Sequence, residues 1–396
     1  MTGAHRGQRP SPSLTALAVG LGAVILVGLI VLWPGAVEIP EGAGALRRGE
    51  IVHATVMTVE TAPCGSAGEG SPDDAGGPSC RRFTLRIDEG RDVGSTTVIE
   101  LPDLETSPDL KIDEQVLLER PPVEIPGTPY LFYDRIRTPP LFWLAAIFAI
   151  LVVLLGRLKG LAALAGLAIS IALLLVFIIP AILDGSPPVM VASVGAGAIA
   201  YVVLYVAHGF TSRTTVALVG TLAGVGLTLT LSLLWVPFAH LAGLAAESSY
   251  IIQAVGVEVD LAGLLLAGIV IGALGAIDDV AVTQASAVWE LRAADPDLRS
   301  SELFRAGMRV GRDHVGSIVN TLALAYAGAS LPLLILFQLS QQPLGSLIGS
   351  EVVATEIVRT LVGSMGLIAA MPITTWLASR IAATEPPDAP GSVHAH

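Results

Sequence analysis

Long uninterrupted apolar runs dominate the chain, separated by short polar breaks. A bilayer core about 30 Å thick calls for about 20 apolar residues per helix. Runs near or above that length lie at Leu14–Trp33, Leu141–Leu155, Leu161–Leu183, Val189–Ala207, Val216–Val236, Leu261–Ala281, Ile318–Phe337 and Val352–Ala378. They predict an all-α polytopic membrane bundle of about eight transmembrane helices. An even number of crossings puts both termini on one side. The first run follows a polar arm with Arg6 and Arg9. It is longer than the roughly 7–15 residues of a signal-peptide core and no small-x-small cleavage site follows, so it reads as a retained anchor.

The stretch from Pro34 to Thr138 has a period of two instead of 3.6. Glu50–Glu60, Arg82–Asp88, Thr96–Leu101 and Lys111–Glu119 alternate β-branched and polar residues, with Gly and Pro between them. Four or five short strands in this space predict a small all-β domain, OB-like, between helices 1 and 2. The expected organisation is therefore a cytoplasmic arm and anchor over 1–33, a β domain over 34–138, a seven-helix domain over 139–380 and a disordered cytoplasmic tail over 381–396.

Composition agrees with the pattern. The chain is 53% hydrophobic and 14% charged, with a mean hydropathy of +0.71. Soluble domains carry about 25% charged residues, so a soluble enzyme, a nucleic-acid binder and a disordered scaffold are excluded. The lipid bilayer is the first partner implied.

Charge adds an orientation. Of the net −12, the β region contributes −9, from 19 acidic and 10 basic residues. Between the later helices the balance reverses. Eleven Lys or Arg (Arg6, Arg9, Arg157, Lys159, Arg213, Arg292, Arg299, Arg305, Arg309, Arg312 and Arg380) fall on the side of the termini, and the short connections on the other side hold none. The positive-inside rule then places both termini in the cytoplasm and residues 34–138 outside it. There, Cys64 and Cys80 are expected to form a disulfide across a Gly/Ser/Asp/Pro loop. A pair of metal-binding thiols is the competing reading, with no His nearby at ligand spacing. The domain is acidic and lacks a basic, aromatic-lined groove, which argues against a nucleic-acid partner. It reads as a structural cap that docks onto the membrane part or meets an envelope partner.

Ionisable groups inside a spanning segment are costly and mark function by default. Asp278 and Asp279 stand side by side in the apolar stretch Leu261–Trp289. Neighbours about 100° apart on a helix cannot face one ligand together. One is read as the proton or cation site, the other as pairing with Arg213 or capping a helix. The alternative is that both sit in headgroup water and end the helix. Residues expected near their level are His208, Arg213, Gln284, Asp313, His314 and Asn320. Glu356 and Arg359, three apart, read as an intrahelical ion pair. The GxxxG pairs Gly220/Gly224 and Gly268/Gly272 permit close helix packing, and Gly272 with Gly275 is placed to loosen the helix beside the acids.

The segment Glu290–Asp313 alternates Leu291, Leu298, Leu303, Phe304, Met308 and Val310 with five arginines. It predicts an interfacial helix on the inner leaflet or a docking site for a cytoplasmic partner. Walker A, HExxH and Gly-x-Ser-x-Gly sequences are absent. Gly275-Ala-Ile-Asp278 lacks the second glycine of the aspartyl intramembrane protease motif, and the seven histidines are scattered. No catalytic residue, metal site or cofactor is expected.

An anchor, a β domain, seven further runs and the segment Gly272-Ala-Leu-Gly-Ala-Ile-Asp-Asp-Val-Ala-Val-Thr-Gln-Ala-Ser286 together resemble the YibE/F family of bacterial multispanning membrane proteins. The resemblance runs from about Glu50 to Ala378, and Asp279 matches the family's acidic position. Asp278 stands where family members often have Met. The resemblance implies a bacterial plasma-membrane protein with a permease-like role. The expected function is a secondary transporter or permease moving an unknown small substrate with a proton or cation at Asp279, assisted by Asp278. A non-transporting envelope scaffold using the β domain and the Arg-rich loop is the alternative, followed by an intramembrane enzyme. A second copy of the chain is a candidate partner.

Overall fold

The computed structural model describes residues 10–36, 49–64, 79–121, 129–245, 247–341 and 343–385. Arg6, Arg9 and most of the expected tail lie outside the described residues. The chain divides into two compact units. One is Glu41–Leu151, and the other combines Met1–Pro40 with Val152–His396.

The smaller unit is built on five strands: β1 Glu50–Pro63, β2 Ser79–Ile87, β3 Thr96–Pro102, β4 Gln115–Arg120 and β5 Leu131–Arg135. All pairings are antiparallel, in the order β3-β2-β1-β4-β5. The 14 residues of β1 serve two partners. Ala54–Pro63 pairs with β2 and Glu50–Thr55 with β4, with a register shift between Val56 and Thr58. A bulge of this kind sharpens local twist and bends a strand, so the sheet curls about β1. Val52, Ala54, Val56, Phe83, Leu85, Ile87, Val116 and Leu118 alternate inward and are buried. Among the described pairings β3 and β5 remain edges, so the structure describes a curled sheet and not a closed barrel. Cys64 and Cys80 are joined by a disulfide with their Cα atoms 4.9 Å apart.

The same unit holds a small, partly buried polar network. Tyr130, 3% exposed, donates a hydrogen bond of 2.7 Å to Asp92 Oδ2, and Arg120 Nη1 approaches the same oxygen at 3.2 Å. Burial of the phenol, then its bond to the Asp92 carboxylate, pushes the tyrosine pKa up to about 12.

The larger unit is helical. Its elements are α1 Pro12–Val31, α2 Thr138–Leu173 (its residues from Val152 on), a π-helical turn at Leu174–Ile178, α3 Ile179–Leu183, α4 Pro188–His208, α5 Ser212–Phe238 and α6 Glu247–Ala254. Then come α7 Leu261–Ala294, α8 Ser300–Ala329, α9 Leu331–Ser340, α10 Leu344–Ile348 and α11 Glu351–Ala382. Among the described residues, six helical stretches are long and apolar enough to cross a membrane, or up to seven if the bent pair α8 and α9 counts as one span. Eight separate spans are therefore not reached by length and composition.

Two differences explain the count. The runs predicted at Leu141–Leu155 and Leu161–Leu183 fall on the two sides of a sharp kink within Thr138–Leu183, a stretch of 46 residues that counts once by length and composition. Within it Arg157 takes φ 50° and ψ −128°, outside helical geometry. A Cβ on Gly160 would collide with the carbonyl of Val152. Eight residues along a straight helix are about 12 Å apart, so the chain turns sharply at Arg157 and only glycine fits the closed side of that turn. The predicted span Ile318–Phe337 is also redrawn. The helix begins at Ser300 and ends at Ala329, and α9 leaves at 64°. Pro332 lacks the N–H that a continuing helix would need, and occupies N2 of the new helix instead.

The Arg-rich stretch Glu290–Asp313 does not form a separate surface helix. Its first residues extend α7 to Ala294, a turn follows, and the rest begins α8. Arg292 closes that turn, donating to Leu298 O at 3.0 Å and to Pro296 O.

At the centre α5, α7 and α11 pack against one another, with α4 beside α5 and α7 and with α8 along α7 and α11. Helices in lipid gain little from hydrophobic burial and associate through close packing of small residues. A Cβ on Gly224 of α5 would stand 2.7 Å from Ile277 and 2.9 Å from Ala370. A Cβ on Gly366 of α11 would strike Thr228 of α5. Both positions need glycine because neighbouring helices fill the space. Gly220 faces Thr374 in the same way, whereas Gly268 and Gly275 face no atom within 4 Å.

Candidate functional site

The acids lie midway along α7, which runs from Leu261 to Ala294 without a break. They do not end the helix, and Gly272 and Gly275 do not interrupt it. At 1.5 Å per residue, Asp278 is about 26 Å from the Leu261 end.

The two carboxylates diverge. Asp278 turns to α5, where Thr221 Oγ1 donates to its Oδ1 at 3.1 Å. Asp279 turns to α8 and lines a cavity of about 150 Å³, with Val280, Thr283 and Gln284 on its own helix and Gly311, Val315 and Ile318 opposite. The helical rotation of about 100° between neighbours thus gives each acid a different partner helix.

Gln284 is 1% exposed, and one end of its amide lies 3.0 Å from Thr375 Oγ1 of α11. The Thr375 hydroxyl is also 2.7 Å from the carbonyl of Met371. Gly311 brings α8 onto this pair: a Cβ there would stand 2.8 Å from the Gln284 amide and collide with Met371 Sδ. One turn earlier, a Cβ on Gly307 would meet Thr375 at 2.8 Å and Val288 at 3.0 Å. Gly307 and Gly311 are a GxxxG pair that the sequence reading missed, because they fall among arginines and not inside an apolar run. Thr221 and Thr375 carried no sequence signal beyond being hydroxyls in spanning segments.

The remaining candidates are dispersed. Arg213 Nη1 lies 3.4 Å from Glu290 Oε1, and its guanidinium carbon is 6.0 Å from the Trp289 ring centroid. It engages the end of α7 and not the central acids. Glu385, just past α11, accepts from Ser212 Oγ and, at 3.3 Å, from Trp289 Nε1. His208 is exposed at the end of α4, and its carbonyl accepts from Thr214 Oγ1 at 3.4 Å. Asp313 and Asn320 are exposed on α8 and do not line the cavity. The side chain of His314 lies outside the described residues. Glu356 Oε1 and Arg359 Nη1 are 3.1 Å apart, and Arg359 sits 5.9 Å from the ring centroid of Tyr326, whose hydroxyl faces Gly272. Among the described residues no group of three His, Cys, Asp or Glu could hold a metal ion.

The family model described as YibE/F-like protein matches residues 144–384, more than half of the chain. No curated protein and no solved structure matches it. The protein belongs to the YibE/F-like family.

Proposed function

We propose that this member of the YibE/F-like family is a membrane permease in which Asp279 is the ion site and Asp278 holds α7 against α5. One observation carries the reading. A carboxylate in the middle of an apolar helix opens onto a cavity and meets no basic side chain among the described residues. An acid at such a depth is expensive unless it is used, and lining an ion or substrate pathway is its commonest use. The cavity lies where glycines bring α8 close to α7 and α11, which gives the site a seam along which helices can separate.

The eleven-to-none charge asymmetry supports both termini in the cytoplasm and the β unit outside it. An eight-span reading rests on counting the two sides of the Arg157 turn separately and α8 with α9 as one. In the β unit the order β3-β2-β1-β4-β5 is that of an OB-like barrel opened between its edges, which supports that assignment for the outer cap.

The test is ion flux through the full chain in liposomes loaded with a pH-sensitive dye, under an imposed alkali-cation gradient. Wild type is expected to dissipate the gradient, and Asp279→Asn to lose at least about tenfold in rate, as for removal of an essential charged group. Equal rates in the two proteins would overturn the assignment.

A further inference from the structure

Beyond Gly311, α8 has two unlike faces. On one, Val315 and Ile318 line the cavity against α7, Leu322 approaches Gly363 of α11, and the Tyr326 hydroxyl faces Gly272. On the other, Asp313, Ser317, Asn320, Leu324 and Ala327 are all exposed, Leu324 by 62%. Their spacing alternates four and three residues, which makes one straight seam of period 3.5. The order is inverted for a helix in lipid. Polar groups in spanning helices almost always point into the bundle, and here they point out of it.

Asn320 decides what has to cover this face. It lies eight residues past Arg312, the last arginine of α8, or about 12 Å further along the helix. Its amide has two N–H donors and an acceptor, and makes no hydrogen bond among the described residues. Acyl chains offer neither donor nor acceptor, so lipid on this face would leave the amide unpaired. The neighbouring helices do not reach it either: α7 and α11 hold the opposite side of α8, and α9 leaves at 64°. Asp313 opens the same seam four residues after Arg309, and neither has an ion-pair partner among the described residues.

We infer that two copies of this chain pair through this face of α8, about a two-fold axis along the membrane normal. Copies inserted in the same sense run their α8 helices parallel, so like residues meet at like depth. Asn320 then faces Asn320 of the second copy, and each amide donates to the other's oxygen. A foreign helix would need its own polar group at that depth, whereas a second copy carries one by identity. An asparagine in such a seam also fixes register, because a slip leaves both amides unpaired. Charge fits as well: Arg309 of each copy stands one turn before Asp313 and offsets the carboxylate brought up by the other. Ser317 and Ala327 are small enough to let the two helices approach closely. The seam is turned away from the cavity, so each copy keeps its own Asp279 site. The pairing therefore stands apart from the permease reading.

The experiment joins cysteine crosslinking of the full chain in membranes to light scattering in detergent. Cys64 and Cys80 are already bonded to each other, so an introduced cysteine supplies the one free thiol. Leu324→Cys is expected to give a disulfide-linked dimer on mild oxidation, and Ile318→Cys, on the opposite face, to give none. Light scattering should find twice the 40.8 kDa chain mass for the wild type. Asn320→Leu should raise the concentration of half dissociation by about tenfold, and Asn320→Gln, which keeps the amide, should hold most of the affinity. A wild type that is monomeric throughout, or no crosslink at Leu324→Cys, would overturn the inference. So would a dimer that Asn320→Leu leaves as tight as before. Crosslinking of Leu324→Cys to a different membrane protein would give the face to that protein and overturn the pairing as well.

Discussion

Thr221 of α5 donates a hydrogen bond of 3.1 Å to Asp278, joining the two helices midway along α7. The bond accounts for one of the two adjacent acids by packing, and leaves Asp279 free to serve the cavity.

Loss of that bond has a cost that separates the acids. Thr221→Val keeps the shape and strands a half-buried carboxylate, so stability should fall by about 1 kcal/mol. Asp278→Asn keeps an acceptor and should cost less. Unfolding in mixed micelles of rising SDS fraction measures both. A Thr221→Val protein as stable as wild type would remove the structural role of Asp278.

Arg213 offers a test of which acid it serves. A double-mutant cycle of Arg213→Gln with Glu290→Gln should give a coupling of about 0.2–1 kcal/mol, the range of a partly exposed ion pair. The same cycle with Asp279→Asn should be additive within about 0.5 kcal/mol, since the pair is not in contact. Strong coupling to Asp279 instead would contradict the pairing described.

The β unit has its own pH dependence. Tyr130 titrates near 12 in the folded state against 10.0 for a free phenol. Its neutral form is thus favoured by folding: the contribution is complete below pH 10 and is lost as pH rises toward 12, about 3 kcal/mol in all. Phenolate absorbance should show a late step that Tyr130→Phe removes and Asp92→Asn shifts toward 10. A Tyr130→Phe titration curve that keeps the late step would refute the assignment.

The apolar runs made the helices legible and the period-two alternation made the strands legible, because both patterns follow directly from which face is hidden. The paired acids stood out for the same reason. Their division of labour did not, since facing α5 or α8 depends on how α7 is rotated in the bundle. Arg213 was expected to meet Asp278 or Asp279, but Glu290 becomes its neighbour only because α7 continues as a helix past the apolar stretch. Gly307 and Gly311 were hidden by their arginine neighbours. On a helix, those charges point away from the face that the glycines present to Thr375 and Gln284. The bend before α9 was written in Pro332, inside a run that hydropathy alone treats as continuous.

The bond from Ser212 to Glu385 spans 173 residues of chain. During synthesis at roughly 5–20 residues per second, the start of α5 waits on the order of ten to thirty seconds for that partner to leave the ribosome. Through that interval Ser212, and for its last 96 residues Trp289, lack the carboxylate that later holds them together. The central bundle is therefore completed from its last-made helix, and truncating the chain just before Glu385 would remove its closing step while leaving every apolar run intact.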